Sequence, residues 1–178
     1  TESGCLEGVT GHVEGVGLPC AGGPDHHRHR VGTGRENRDR VALVDAEIRG
    51  HQGKLSKLPH HVDTWILLGR AWIRKARETA DPGYYLNARA CADIVLDFAP
   101  GNILARNLIG QTLLNDHKFH DARDVAEQIL VKEPEDVMAL GTLSDAMMEV
   151  GRYEEAVSAA EKMGALKPGL PSYTRASY

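Results

Sequence analysis

The stretch RYEEAVSAAEKMGALKP, Arg152 to Pro168, decides the fold because it has a near-twin upstream, KFHDARDVAEQILVKEP, Lys118 to Pro134. An aromatic (Phe119, Tyr153), an alanine (Ala122, Ala156), a second alanine (Ala126, Ala160) and a closing proline recur in step. Proline cannot continue a helix, so each copy reads as a helix that stops at its proline. Prolines at 59 and 100 extend the series, and the successive spacings are 41, 34 and 34. The last of these spacings is the period that separates the twins.

Each interval holds two apolar-periodic segments. VDTWILLGRAWIRKARET places Trp65, Leu68, Gly69 and Trp72 on one helical face, and YYLNARACADIVLDFAP follows it. NILARNLIGQTLLND does the same with Ile109, Gly110 and Leu113, and DVMALGTLSDAMMEV with Leu140, Leu143, Ser144 and Met147. No long apolar–polar alternation suggests strands, so the chain reads as all-α. The wide first spacing carries seven extra residues, about two helical turns. One turn added to each helix keeps both apolar faces in phase. The first hairpin is therefore expected to be longer than its successors, with Asp81 as an N-cap, Pro82 at the first helical position and Tyr84 and Tyr85 at its tip.

A helix–turn–helix unit of this period and pattern resembles the tetratricopeptide repeat. Trp65, Leu68, Gly69, Trp72, Ala88 and Pro100 match the family pattern in the first unit. Ile109, Gly110, Ala122 and Pro134 match in the second; Leu140, Leu143, Ala156 and Pro168 match in the third. Arg106 departs from the first bulky slot of unit two, and Ala92, Ala126 and Ala160 from the aromatic slot of the second helix. The resemblance covers about residues 62–168 and implies an α-solenoid of about three tetratricopeptide hairpins. Small residues let paired helices approach, so Gly69, Gly110 and Ser144 are expected opposite Ala88, Ala122 and Ala156. One hairpin cannot bury its apolar face alone; each copy supplies the wall its predecessor lacks.

The expected organisation is a flexible tail over 1–35, an N-terminal capping helix over 36–59 and a repeat domain over 60–178. Its units run about 62–100, 103–134 and 137–168. The tail holds nine of the nineteen glycines, a density that costs much backbone entropy on folding. The capping segment has a sparse apolar stripe, Val41, Val44, Ile48, Leu55 and Leu58, interrupted by Gly50 and Gly53. Gly169 to Tyr178 reads as the start of a further first helix.

Charge narrows the partners. Residues 59–178 carry thirteen basic and seventeen acidic side chains, a mildly acidic balance without a basic stripe, which disfavours a nucleic-acid backbone as the main partner, and none is expected. No apolar run reaches the roughly 18 residues of a membrane span. No charged-then-apolar leader opens the sequence, and the compartment stays open between cytoplasm, periplasm and a membrane-associated complex.

Catalytic motifs are absent: no G-x-S-x-G, P-loop, Rossmann glycine pattern or H-E-x-x-H occurs, so no enzyme and no cofactor is expected. The HHRHR run at His26–Arg30, with Cys5 and Cys20, invites a metal reading, but its spacing and glycine-rich surroundings supply no rigid ligand set. A Cys5–Cys20 bridge rests on arithmetic alone. His60, His61, His117 and His120 read as turn residues, and Cys91 as a small core residue.

The resemblance implies that the first helices line a concave groove where a partner lies. Carried over by helical phase, the groove takes Asp63, Ile66, Arg70, Ile73 and Arg74 from unit one. Unit two supplies Leu104, Asn107, Gln111, Leu114 and Asn115, and unit three Met138, Asp145, Met148 and Glu149. Asn and Gln amides can bond an extended backbone as donor and acceptor together, and Arg70 with Arg74 can grip a carboxylate. The plain alternative for any of them is a solvated helix face. The lysines of a two-carboxylate clamp are missing, so an EEVD-type C-terminal ligand is not expected. The function implied is a non-catalytic scaffold holding a peptide, a protein segment or another copy of itself. The alternative is a structural subunit packed into a larger assembly through its convex face and ends.

Overall fold

The computed structural model describes residues 34–177; the expectations for the tail, the Cys5–Cys20 bridge and the HHRHR run lie outside them. The described residues form eight helices and no strand. They are α1 (Gly34–Leu55), α2 (Val62–Thr79), α3 (Tyr84–Phe98), α4 (Ile103–Asn115), α5 (Phe119–Lys132), α6 (Val137–Glu149), α7 (Tyr153–Leu166) and α8 (Leu170–Ala176). Consecutive helices pack on one another, and the first helices of successive hairpins also meet, α2 with α4 and α4 with α6. That repeated advance makes the all-α hairpin solenoid. None of these helices is long and apolar enough to cross a membrane.

Helix ends follow local chemistry. α1, α3, α5 and α7 stop at Leu55, Phe98, Lys132 and Leu166, each shortly before its proline. Asn102 and Asp136 cap α4 and α6 through side-chain oxygens that accept from Ala105 N and Ala139 N. His61 does the same for α2 through Nδ1, which accepts from Thr64 N at 3.3 Å. This histidine in a turn therefore has a structural task. Trp65 Nε1 donates to Pro59 O at 2.7 Å, which fastens the turn after α1 to the core.

The largest apolar cluster joins Val44, Ile48 and Leu55 of α1 to Trp65, Leu68 and Trp72 of α2, Ala88, Cys91 and Val95 of α3, and Leu108 of α4. Burying each such Leu or aromatic side chain contributes about 1.5–3 kcal/mol. Cys91 is enclosed among them, and burial pushes its thiol up to about 12, so it is a core residue and not a nucleophile.

The close-packed positions behave as expected in two hairpins of three. A Cβ at Gly69 would stand 3.4 Å from Cys91 Cβ and 3.6 Å from Ala88 O, in its own hairpin. Ser144 Oγ donates to Ala156 O at 2.9 Å, also within its own. Gly110 departs from this: the nearest atoms to a Cβ there belong to Thr142 of the next first helix, at 3.1 Å. Gly69 has the equivalent neighbour too, Leu108 Cδ1 at 2.7 Å, and Leu108 and Thr142 hold the same position in successive units. Smallness here serves the approach of successive first helices as well as closure of the hairpin.

The first hairpin is indeed the longest, but unevenly. α2 has 18 residues against 13 in α4 and α6, whereas α3 has 15 against 14 in α5 and α7. Asp81 does not cap α3. Its Oδ1 accepts from Gly83 N at 2.9 Å in a short turn, and the helix starts after it, at Tyr84.

α8 packs on α7 and α6, where a fourth first helix belongs, but one residue out of step. Tyr173 lies one full period past the buried Ala139, yet it is 61% exposed while Ser172 is 1% exposed. A tyrosine does not fit an alanine slot. Ser172 takes its place near Gly164, with its hydroxyl donating to Gly169 O at 2.8 Å.

Candidate functional site

The first helices supply the walls of a cavity of about 560 Å³. Gln111, Leu114 and Asn115 line it from α4, and Met138 and Asp145 from α6. Their spacings within each helix put them on a common face. These five groove residues, inferred from the sequence, thus meet at one site.

The others stand elsewhere. Asp63 and Arg70 of α2 do not line the cavity. Arg74 forms an ion pair with Glu47 of α1. Leu104 is exposed, Met148 half-buried, and neither lines the cavity. Asn107 is 4% exposed, and its Nδ2 donates to Asp136 Oδ1 at 3.1 Å while its Oδ1 has no partner. Ile66 and Ile73 belong to the core cluster, and Glu149 lines a separate hollow with His117 and His120 at the α4–α5 turn.

Three elements of the site had no signal in the groove pattern. Arg77 and Tyr85 reach the cavity from the lengthened first hairpin, and α8 closes one side with Pro171 and Arg175. The turn from α7 to α8 adds Lys167 and Pro168. The wide first proline interval was the signal for the first pair. Gly169 to Tyr178 reads as the start of a further first helix, but the groove residues are carried over from the three complete units alone.

Electrostatics sort these groups. Arg175 grips Asp145 with two parallel hydrogen bonds, Nε to Oδ1 at 2.6 Å and Nη2 to Oδ2 at 2.7 Å. The bond to Asp145 holds the guanidinium above its ordinary range. The pair is neutral as a unit and latches α8 to α6. Arg77 and Lys167 are exposed and make no ion pair among the described residues, so the free charge around the cavity is positive. Amides from Gln111 and Asn115 sit beside the apolar Leu114 and Met138. The arrangement suits an extended chain with alternating apolar and acidic groups. Among the described residues, no group of three or more His, Cys, Asp or Glu is placed to hold a metal ion.

No protein-family model matches the chain, and neither does any curated protein. Solved structures do. A crystal structure of MamA superposes with a TM-score of 0.57 at 19% identity, covering 83% of this chain and 82% of that one. A second crystal structure of MamA gives 0.56 at 20% identity, over 80% and 74%. MamA from residue 41 to its end, from Desulfovibrio magneticus RS-1, gives 0.54 at 21%, over 75% of each chain. At these identities the likeness is one of fold: the chain is built as a tetratricopeptide-like solenoid of helical hairpins.

Proposed function

We propose that this chain is a non-catalytic protein-interaction scaffold of the tetratricopeptide kind, and that the cavity between α4, α6 and α8 holds an extended acidic segment of a partner protein. The observation that carries the reading is the meeting of Gln111, Asn115, Leu114 and Met138 in one cavity of about 560 Å³, with Arg77 and Lys167 beside it. Amides bond the partner's backbone, the apolar pair buries alternate side chains, and the two cations select acidic ones. No proton or electron needs to move.

The test is a fluorescence-anisotropy titration of the best peptide selected from a random display library. Gln111→Ala with Asn115→Ala should weaken it at least tenfold, a loss of about 1.4 kcal/mol, with the melting curve unchanged. Arg77→Glu should shift the library's preference away from acidic peptides. Equal affinity of the double variant and the parent would refute the groove reading.

The second reading, a structural subunit packed through its ends, is favoured by the large exposed apolar side chains there. Leu43 of α1 is 72% exposed and Leu170 of α8 is 76% exposed.

A further inference from the structure

Three cations line the groove cavity, and one of them is already taken. Arg77 and Lys167 make no ion pair among the described residues, whereas Arg175 of α8 holds Asp145 of α6. Asp145 is the one carboxylate on the cavity wall among the described residues. Its two bonds from Nε and Nη2, 2.6 and 2.7 Å long, have the parallel geometry with which an arginine grips any carboxylate. The group seated on Arg175 is thus chemically the same as the acidic side chains that the cavity suits.

The guanidinium does not depend on Asp145 alone for its place. Its Nη1 donates to Pro171 O, within α8 itself, at 3.0 Å. A Cβ on Gly141 would stand 3.5 Å from its Cζ, so the missing side chain makes room for it against α6. Gly141 precedes Asp145 by one turn and shares its face. Water reaches the pair as well: the Arg175 and Asp145 side chains are 26% and 37% exposed. An ion pair so placed contributes little net stability, because water competes for both charges. An incoming carboxylate restores the same two bonds while Asp145 turns into solvent, so the exchange is close to balanced.

We propose that Asp145 is an internal competitor: it masks Arg175, a third carboxylate-binding point of the groove, and a partner's acidic side chain reaches that arginine only by displacing it. The inference rests on the acidic-segment reading of the cavity and adds a device that regulates it. Arg77 and Lys167 attract acidic groups at once, whereas Arg175 sets a threshold that a neutral side chain does not pass. Because the same bonds latch α8 to α6, displacement also passes the hold on α8 from α6 to the partner.

Anisotropy titrations of the full chain with two labelled hexapeptides test it, one alternating leucine with glutamate and the other leucine with glutamine. Asp145→Asn should raise the preference for the acidic peptide about fivefold, the size expected of one unmasked charge pair. Asp145→Ser, equally without charge, should do the same, so that a folding defect in one variant does not decide the matter. Arg175→Gln breaks the same ion pair and loosens α8 alike, yet it should lower the preference. Glu149→Gln removes an exposed carboxylate one turn further along α6, in the separate hollow, and should change the preference less than about twofold. A rise in Arg175→Gln as well would trace the gain to a loosened α8, and an equal rise in Glu149→Gln would trace it to a diffuse field. Either result, or no rise in both Asp145 variants, overturns the competitor. Gln111→Ala/Asn115→Ala should weaken both peptides, and if it does while the Asp145 variants show no rise, the groove stands and only the competitor falls. If neither peptide binds the parent or any variant, the groove reading falls and takes the competitor with it.

Discussion

The junction between α1 and α2 and the junction between α2 and α3 share one helix and are built from opposite materials. Between α2 and α3 the contact is close, with Gly69 against Cys91 and Ala88 and the stacked rings of Trp72 and Tyr84 at 5.5 Å. Between α1 and α2 a few apolar residues, Val44, Ile48 and Leu55, are flanked by three ion pairs. Lys75 links the two regions: its Nζ is 2.7 Å from Asp45 and 4.5 Å from the centre of the Tyr84 ring. The difference teaches that one helix can be held by two kinds of contact. The α2–α3 junction gains from volume matching, whereas the α1–α2 junction is held in register by charge.

The contrast can be broken most strongly at Gly69. The Cβ of Gly69→Ala would stand 2.7 Å from Leu108 Cδ1, in a site with little room to yield. A destabilisation of about 1–3 kcal/mol is expected in urea unfolding, and an unchanged midpoint would show that the Leu108 side chain of α4 turns aside from α2 without cost.

The charged junction should respond to pH instead. Burial lowers the Lys75 ammonium, but the hydrogen bond and charge of Asp45, with help from Tyr84, outweigh that and hold it above its usual 10.5. Its contribution is complete below pH 10.5 and is lost as pH rises through the raised value. Glu47 has the opposite sign: burial raises it, but Arg74 and His51 together bring it below its usual 4.5. Its contribution is present above pH 4.5 and is lost as pH falls through the lowered value. Amide exchange in α1 should therefore quicken at both extremes and in high salt, before that in α4. Uniform exchange across the two helices would contradict the division.

The smallest effect sharpens the comparison within the repeats themselves. His117 and Gly151 occupy equivalent turns of successive units, with φ of 57° and 79°. Only glycine takes that conformation without a steric cost. His117→Gly should raise stability by roughly 0.5–1 kcal/mol, and Gly151→Ala should lower it by a similar amount. Two changes of the same sign would break the equivalence of the turns.

The helices and their pairing were legible because prolines, alanines and the period repeat locally. The groove was legible only in part, because helical phase tells which side of a helix a residue occupies and not what stands opposite. Ile66 and Ile73 share a side with Arg70, yet the cluster that includes α1 buries them. Arg74 and Asp145 find ionic partners 27 and 30 residues away, Glu47 and Arg175, at distances unrelated to the period. The α8 wall was legible as a further first helix, but its one-residue offset, with Ser172 buried and Tyr173 exposed, was not.

Asp136 has a consequence that reaches beyond its helix. One oxygen of this carboxylate accepts both from Ala139 N, which starts α6, and from Asn107 Nδ2, which belongs to α4. The signal that nucleates the third hairpin is thus the bolt that fixes it to the second. Coupling between these neighbours resides partly in a helix cap, so fraying of that single turn and loosening of the array there become one event.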